Sequence, residues 1–326
     1  MSRILRIAFT IMACWVLAGC RDASPSEPAP STIRLQLNWV PEPEFGGIYA
    51  ADAAGFFRDE GLQVEIIKGG PGVAAPQLAA SGRVEFAVVG GEQILTLGEA
   101  GGELVGIYAI YQDDPMAVMV HATSPFASLE ELWKSDATVA CEANLSWVTM
   151  LNEKFGGASL KIVPHGGSIA LFAADSNLAQ QCFVFAEPVA LEMQGVATKV
   201  FLVKESGFNP YNGVIATSAA YAKANPETCA KVRRALQRGW ERYLKDPAPT
   251  NAVMAAMNPA MTKEAMDIAA KRQQPLIESP DTERLGLGAM TAERWSNTAQ
   301  QLQRLGKITT LPAPEEIFLW GTSAPR

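Results

Sequence analysis

The chain has 326 residues, of which 27 are Lys or Arg, 34 are Asp or Glu and 48% are hydrophobic. This length allows a sizeable core and predicts two lobes. A formal charge of −7 without a long basic run argues against a nucleic acid as the main partner. Charged residues make up 19% and are evenly spread, which predicts a soluble globular body.

The N-terminus has the pattern of an export signal. Arg3 and Arg6 precede an apolar run over residues 7–17, which is too short for a comfortable membrane span. The run leads into the sequence LAGC at 17–20, which resembles the lipobox of bacterial lipoproteins, where diacylglycerol is attached to the cysteine. A chance cysteine after an ordinary signal peptide is the alternative.

We therefore expect a lipoprotein signal peptide over residues 1–19, lipidation at Cys20 and a flexible tether, rich in Pro and Ser, over residues 20–31. The mature chain would then be anchored to a membrane by lipid, in the periplasm or on the outer face of the cell membrane. Folded structure is expected from Thr32 onward.

Beyond the tether, short β-like runs alternate with helical stretches, three of which end at glycine, an arrangement typical of a largely parallel sheet. Strands are predicted over residues 33–38, 64–68, 86–89, 104–110, 117–121, 138–140, 160–163, 182–185, 199–203 and 213–217. Helices are predicted near residue 129 and over residues 45–54, 73–81, 92–100, 147–155, 169–174, 189–194, 226–245, 249–257, 262–272 and 291–305.

This order of elements predicts an α/β fold with two lobes made of noncontiguous segments. Lobe 1 is expected to comprise residues 32–121 and 214–326, and lobe 2 residues 122–213, with crossovers near residues 120–123 and 211–214. A ligand cleft is expected between the lobes, where strand ends face each other, with hinge closure as the motion.

Several motifs carry a resemblance to a known family: LNWVP at 37–41, GIYAA at 47–51, GFFRDEGLQV at 55–64 and FAEP at 185–188. They resemble the periplasmic solute-binding proteins for nitrate, sulfonates, taurine and thiamine-precursor pyrimidines, over roughly residues 32–257. The resemblance implies a type II periplasmic-binding-protein fold with a hinge, an interlobe cleft and a helical C-terminal region. It also implies an extracytoplasmic lipoprotein, expected to be a monomer, that delivers its ligand to the permease and ATPase of an ABC importer.

The loops expected to line the cleft contain no Lys or Arg: residues 38–49, 90–93, 111–115, 141–149, 165–169, 185–192 and 208–213. Their acidic residues are Glu42, Glu44, Glu92, Asp113, Asp114, Glu142, Glu187 and Glu192. Carboxylates favour amino groups and cations, so a small neutral or cationic nitrogen-containing ligand, such as a thiamine-type pyrimidine, is predicted. A small anion such as a sulfonate or nitrate, held by helix N-termini, is the alternative.

Ten residues are candidates for ligand binding: Asn38, Trp39, Tyr49, Glu92, Gln93, Tyr111, Trp147, Glu187, Tyr211 and Asn212. The aromatic rings offer a stacking surface, and the polar side chains offer hydrogen bonds. Some of these residues have a purely structural role as the alternative. Trp39 would then be a core residue beside the hinge, Glu187 a helix cap, and Tyr211 with Asn212 turn-forming residues.

Catalysis, metals and cofactors are not expected. The same superfamily contains a fungal thiamine-pyrimidine synthase, but Val89 stands where its cofactor-anchoring Lys should be, and Gln93 where its consumed His should be. No cysteine cluster or metal-ligand spacing occurs.

Cys141 and Cys182 either form a disulfide or are buried free thiols. A signalling rather than a transport role would use the same pocket.

Overall fold

The computed structural model describes residues 32–156 and 159–320. The signal peptide over 1–19, the tether over 20–31 and the lipidation at Cys20 lie outside the described residues. The described residues from Thr32 to Trp320 belong to one compact unit.

The first sheet has five strands in the order β2-β1-β3-β10-β4. Strands β1 to β3 run parallel, and β10 pairs antiparallel with both β3 and β4. The strands are β1 (Ile33–Gln36), β2 (Val64–Ile67), β3 (Phe86–Val89), β4 (Leu104–Tyr111) and β10 (Asn212–Ser218).

The second sheet repeats this arrangement in the order β7-β6-β8-β5-β9. Strands β6, β7 and β8 run parallel, and β5 pairs antiparallel with β8 and β9. The strands are β5 (Met116–His121), β6 (Thr138–Cys141), β7 (Lys161–Pro164), β8 (Leu178–Phe183) and β9 (Thr198–Leu202). The predicted two α/β lobes are confirmed, with one reversed strand in each otherwise parallel sheet.

Helices cover the sheets and make up the C-terminal third. They are α1 (Gly46–Ala53), α2 (Phe56–Asp59), α3 (Ala75–Ala80), α4 (Gly91–Glu99), α5 (Leu129–Trp133), α6 (Ser146–Phe155), α7 (Ala170–Ala174), α8 (Glu187–Glu192), α9 (Ala219–Ala224), α10 (Pro226–Lys245), α11 (Ala248–Met257), α12 (Lys263–Ile277), α13 (Pro280–Leu285), α14 (Ala292–Arg304) and α15 (Pro314–Ile317). Short 3-10 turns lie at Pro43–Phe45 and Val203–Ser206.

The longest helix, α10, packs closely against α1 because glycine lies at their contact. A Cβ on Gly239 would lie 2.2 Å from the carbonyl oxygen of Gly47, so only glycine fits there. The indole of Trp240 is fully buried in the same contact. The helix predicted over residues 226–245 is thus confirmed, and its buried face packs on the first lobe.

The first crossover lies earlier in the chain than predicted. Strand β5 belongs to the second sheet, so the chain crosses at residues 112–115 and not near 120–123. The prediction was wrong because the apolar run of β5 is a central strand, paired on both sides, and its sequence pattern is the same in either sheet. The return strand predicted over 213–217 is confirmed as β10.

The two crossovers are hydrogen-bonded to each other. Asn209 donates from Nδ2 to Oδ1 of Asp113 at 2.9 Å, and its Oδ1 accepts from the backbone N–H of Asp114 at 2.8 Å. Lys204 forms an ion pair with Asp113 at 2.6 Å, and Asn212 donates to Oδ1 of Asp114 at 2.8 Å. This network joins the only two segments by which the described chain passes between the sheets.

Cys141 and Cys182 are both buried and free, so the disulfide that the sequence left open is absent. Cys141 ends β6, whereas Cys182 lies on β8, the neighbouring strand, and their side chains belong to different apolar clusters. Within residues 32–156 and 159–320, no helix has the length and apolar character needed to cross a membrane.

The crossover network predicts a stability effect. Replacing Asn209 with Ala removes its three side-chain hydrogen bonds, one of them from Arg294, and leaves the buried N–H of Asp114 without its acceptor. The free energy of unfolding should therefore fall by about 1 to 3 kcal/mol. Urea denaturation measures this. The control is Asn177→Ala, at an exposed position. An equal effect of the two substitutions would contradict the structural role of Asn209.

Candidate functional site

A cavity of about 120 Å³ lies between the facing ends of the two sheets. It is lined from the first lobe by segments after β1 and β3, and from the second by segments after β6, β7 and β8. Eight of the ten predicted residues line it: Asn38, Trp39, Glu92, Gln93, Trp147, Glu187, Tyr211 and Asn212. A larger hollow of about 940 Å³ beside β4 and α10 contains none of the ten, so the smaller cavity is the candidate site.

The other two predicted residues do not line this cavity. Tyr49 faces the core from α1 and is 7% exposed. Tyr111 is fully buried at the end of β4, where its hydroxyl donates to Gln273 Oε1 at 2.6 Å and its ring stacks on Phe185. Both were predicted because they follow or end an element near the cleft. The structure places their rings in the first core instead, so this part of the prediction is corrected.

Carboxylates dominate the walls of the cavity. Among the described residues that line it, none is Lys or Arg, whereas six are acidic: Glu42, Glu44, Glu92, Asp114, Glu142 and Glu187. Glu44 is 4% exposed. Burial, and then the charges of neighbouring carboxylates, raises the pKa of both Glu42 and Glu44 well above the usual range.

Three further lining carboxylates have raised pKa values. Burial raises the pKa of Glu187 to about 7, although its Oε2 accepts a hydrogen bond from the backbone N–H of Phe183 at 2.9 Å. Burial also raises the pKa of Glu92 to about 7 and that of Asp114 to about 6. In each case the loss of hydration outweighs the local hydrogen bonds, so burial makes the protonated form of each carboxyl group more favourable than it is in water.

Five buried polar atoms at the cavity have no hydrogen-bond partner among the described residues. The acceptor atoms are Asn38 Oδ1, Glu44 Oε1 and Glu92 Oε2, and the nitrogen atoms are Trp147 Nε1 and His165 Nε2. A buried polar group without a partner is costly, so a ligand that satisfied these atoms would gain their hydrogen bonds. The cavity therefore offers acceptors for ligand N–H groups and donors for ligand acceptors.

His165 can act as a donor. Its Nδ1 accepts from the backbone N–H of Gly167 at 3.1 Å, so the proton of the neutral ring is on Nε2. Burial lowers the pKa of His165, which favours this neutral form. The start of the following helix is served by Ser168, whose hydroxyl accepts from the N–H of Ala170.

Trp39 extends from the end of β1 to the second lobe. A Cβ on Gly167 would lie 3.5 Å from the edge of its ring, and the ring is only partly buried. The backbone before it is held by Gly69, where a Cβ would lie 2.3 Å from the carbonyl oxygen of Leu37. The glycine pair at 69–70, which reads as a plain turn in the sequence, thus lets the chain pack against the site.

Besides Glu187, three of the predicted residues that line the cavity make hydrogen bonds within the protein. Gln93 Oε1 accepts from the N–H of Gly90 at the start of α4. Tyr211 is 1% exposed, and its hydroxyl accepts from the N–H of Thr291. Asn212 fixes Asp114. These residues shape the cavity, whereas Glu44, Glu92, Asn38 and Trp147 present atoms that are still unpartnered.

Several lining residues were not among the ten candidates. Glu42, Glu44, Asp114 and Glu142 were noted only as cleft carboxylates. His165 and Phe208 lie in loops that were expected to line the cleft, whereas Phe183 lies outside those loops. The signal for Glu44 was its place in a loop after β1; its burial depends on tertiary packing that no local pattern shows. The described residues contain no group of three or more acidic, His or Cys side chains arranged to hold a metal ion.

A family model described as NMT1/THI5 like matches residues 42–250, and the chain belongs to this family. It is 24% identical to the riboflavin-binding protein RibY of Chloroflexus aurantiacus, over 98% of this chain and 97% of that protein. It is 22% identical to a formylaminopyrimidine-binding protein of Halalkalibacterium halodurans, over 96% and 97%.

A solved structure shows the same fold. The periplasmic aliphatic sulphonate binding protein SsuA from Escherichia coli superposes with a TM-score of 0.67 at 14% identity, covering 91% of this chain and 95% of that one. The type II periplasmic-binding-protein fold expected from the sequence motifs is therefore confirmed.

The raised pKa values predict that the ligand-free protein becomes less stable as the pH rises from 5 to 8. Glu187 binds its proton more tightly when folded, so its contribution is full below its unfolded pKa of 4.5 and is lost through about 7. Glu187→Gln should weaken this pH dependence by about 1 to 3 kcal/mol. Urea denaturation at both pH values, on protein freed of ligand by refolding, measures it.

The matched control is Glu153→Gln, at an exposed position of α6. The same pH dependence in the wild type and both variants would contradict the burial of an ionisable Glu187.

Proposed function

We propose that the protein is the substrate-binding component of an ABC importer and captures a small, flat, neutral or cationic nitrogen-containing metabolite of the aminopyrimidine type between its lobes. The fold and the family membership support a binding role. The formylaminopyrimidine-binding relative supports the ligand class. The permease and the ATPase would be its protein partners.

The observation that carries this proposal is the acceptor-rich cavity. Glu44 Oε1, Glu92 Oε2 and Asn38 Oδ1 are buried without partners, and each can accept from an amino group. Trp147 Nε1 and His165 Nε2 can donate to the ring nitrogens of a heterocycle. Trp39, at the side of the cavity, offers an aromatic surface for stacking.

The size of the cavity favours a single ring. Its volume of about 120 Å³ lies below the range of roughly 300–1,000 Å³ that holds drug-sized ligands. A pyrimidine with small substituents is closer to this size than the three fused rings of a flavin. Riboflavin, the ligand in the name of one relative, is therefore the less favoured ligand.

A small anion is the second candidate, because the N-termini of α4 and α6 both reach the cavity. Glu92 occupies the first turn of α4, however, and six carboxylates line the same space. An anion would find no described Lys or Arg on the walls to pair with, and its charge would further oppose ionisation of the carboxyl groups. The electrostatics therefore favour the amino-group ligand.

We propose binding without catalysis because two positions lack the residues that the synthase uses. Val89 and Gln93 stand where the resembling synthase has Lys and His, and the Gln93 side chain is engaged with the N–H of Gly90. An extracytoplasmic chain with lipid on Cys20 is proposed from the sequence motif.

The binding proposal is tested by calorimetric titration of the purified full chain. We expect an aminopyrimidine to bind, and we expect Trp39→Ala and Glu187→Gln each to weaken binding by at least 10-fold, because they remove ring contact and an acceptor. Glu153→Gln is the control that should leave affinity unchanged. Binding of only alkanesulfonates or nitrate would contradict the proposed ligand class.

The lipid anchor is tested by fractionating cells that express the chain. Cys20→Ser should move the protein from the membrane fraction to the soluble extracytoplasmic fraction and abolish labelling by a radioactive fatty acid. Cys14→Ser, within the proposed signal peptide, should change neither property of the mature protein. Unaltered labelling of the Cys20 variant would contradict lipidation at this residue.

A further inference from the structure

The larger hollow, of about 940 Å³, belongs to the first lobe alone. It is lined by α4, β4, α9, the first half of α10 and residues 310–319. None of its lining residues also lines the cavity between the sheets. Its volume falls within the range of roughly 300–1,000 Å³ that is typical of ligand pockets, so it can hold a ligand of its own.

Most of the lining of this hollow is apolar. Leu104, Val105 and Ile107 come from β4, which is an edge strand of the first sheet, and Ile94 and Leu95 come from α4. Because water gains little from contact with such a surface, a hydrocarbon chain that displaced this water would bind favourably. The hollow therefore suits a ligand with an extended apolar part.

The wall formed by residues 310–319 is fastened at both ends. At its start the hydroxyl of Thr309 donates to Glu99 of α4, and Gln303 of α14 donates to the carbonyl oxygen of Thr309 at 2.9 Å. At its end the N–H of Leu319 donates to the carbonyl oxygen of Gly106 at 2.8 Å. The wall would have to break these hydrogen bonds to collapse into the hollow, so the hollow is a built feature of the lobe.

Arg233 of α10 places a half-buried cation at the hollow. Its Nη1 donates to the carbonyl oxygen of Leu319 at 3.3 Å, and its guanidinium carbon lies 5.2 Å from the centre of the Trp320 ring. It forms no ion pair with a carboxylate of the described residues, and its other N–H groups find no acceptor among them. Burial, and then the charge of Arg234, lowers the pKa of Arg233, but an arginine remains charged at neutral pH.

The acidic residues that line the hollow are all exposed to solvent: Glu99, Glu103, Glu315 and Glu316. Glu316 accepts from the N–H of Ala313, and Glu99 accepts from Thr309. Water and salt screen such exposed charges, so they act weakly on a group inside the hollow. The half-buried guanidinium of Arg233 therefore favours an anionic group on the ligand.

We propose that this hollow binds a single-chain amphiphile of the fatty-acid type, with its carboxylate on Arg233 and its hydrocarbon chain along β4 and α4. The apolar lining accommodates the chain. A guanidinium can hold a carboxylate by two parallel hydrogen bonds, which gives the head group both charge and geometric complementarity. The site is separate from the cavity between the lobes and does not depend on the ligand proposed for that cavity.

Calorimetric titration of the purified full chain in detergent-free buffer tests this site, with every probe kept below the concentration at which it forms micelles. The first probe is dodecanoate. Hexanoate has the same head group and a shorter chain, and dodecyltrimethylammonium has the same chain length and a cationic head group.

Two variants separate the roles of the head group and the chain. Arg233→Gln removes the cation. Gly98→Leu narrows the hollow, because a Cβ on this lining residue would meet no atom within 4 Å and the longer side chain has room to enter. Leucine also favours the helix more than glycine does, so this variant should fold. Glu153→Gln is the control, and thermal unfolding shows whether each variant is folded.

We expect dodecanoate to bind the wild type, and hexanoate and dodecyltrimethylammonium to bind about 10-fold more weakly or less. Arg233→Gln and Gly98→Leu should each weaken dodecanoate binding by about 10-fold, and Arg233→Gln should also reduce the preference for dodecanoate over the cationic probe. Glu153→Gln should leave all three affinities unchanged. Gly98→Leu tests the site even if Arg233→Gln fails to fold.

Absence of dodecanoate binding, or equal binding to the wild type and both variants, would overturn the proposal. Stronger binding of dodecyltrimethylammonium than of dodecanoate would also overturn it, because the exposed carboxylates and not Arg233 would then select the head group. None of these results would bear on whether an aminopyrimidine binds between the lobes.

Discussion

Carboxylates buried without a cationic partner are the constraint on which the site depends. Removing a charged group from water is expensive unless an opposite charge or hydrogen-bond donors replace the lost hydration. Around this cavity, the described walls provide no Lys or Arg, and burial raises the pKa of Glu92 and Glu187 to about 7. Burial thus makes proton binding by these groups more favourable than in water, and under the proposed function a ligand amino group would replace the proton.

The strand order that brings these carboxylates to one cavity also produces the two crossovers between the lobes. Each lobe places its parallel strands with their ends toward the cavity, and the reversed strand of each sheet, β5 or β10, is the one that follows a crossover. Asp114 lies in the first crossover, lines the cavity and accepts a hydrogen bond from Asn212 of β10. Under the proposed function, a ligand that contacts Asp114 would act directly on the hydrogen bonds that join the lobes.

Much of the fold could be predicted from the sequence, because runs of β-branched residues indicate strands and a glycine after a helical stretch indicates the end of a helix. Gly55 and Gly82 follow predicted helices and have φ values of 77° and 69°, in the left-handed region that favours glycine. The sheet to which β5 belongs could not be predicted, since its pattern suits either sheet. Tyr111 was misplaced for a related reason: position at a strand end does not decide whether a ring faces core or cleft.

The most direct test of the account is the pH dependence of affinity for an aminopyrimidine, measured by calorimetry between pH 5 and 7.5. Glu44 and Glu92 are the proposed carboxylate acceptors. Burial raises the pKa of Glu92 to about 7 and that of Glu44 well above its usual range, so affinity should rise with pH through this range, with protons released on binding. Affinity that stays constant, or that falls as the pH rises, would contradict the claim that buried carboxylates receive the ligand.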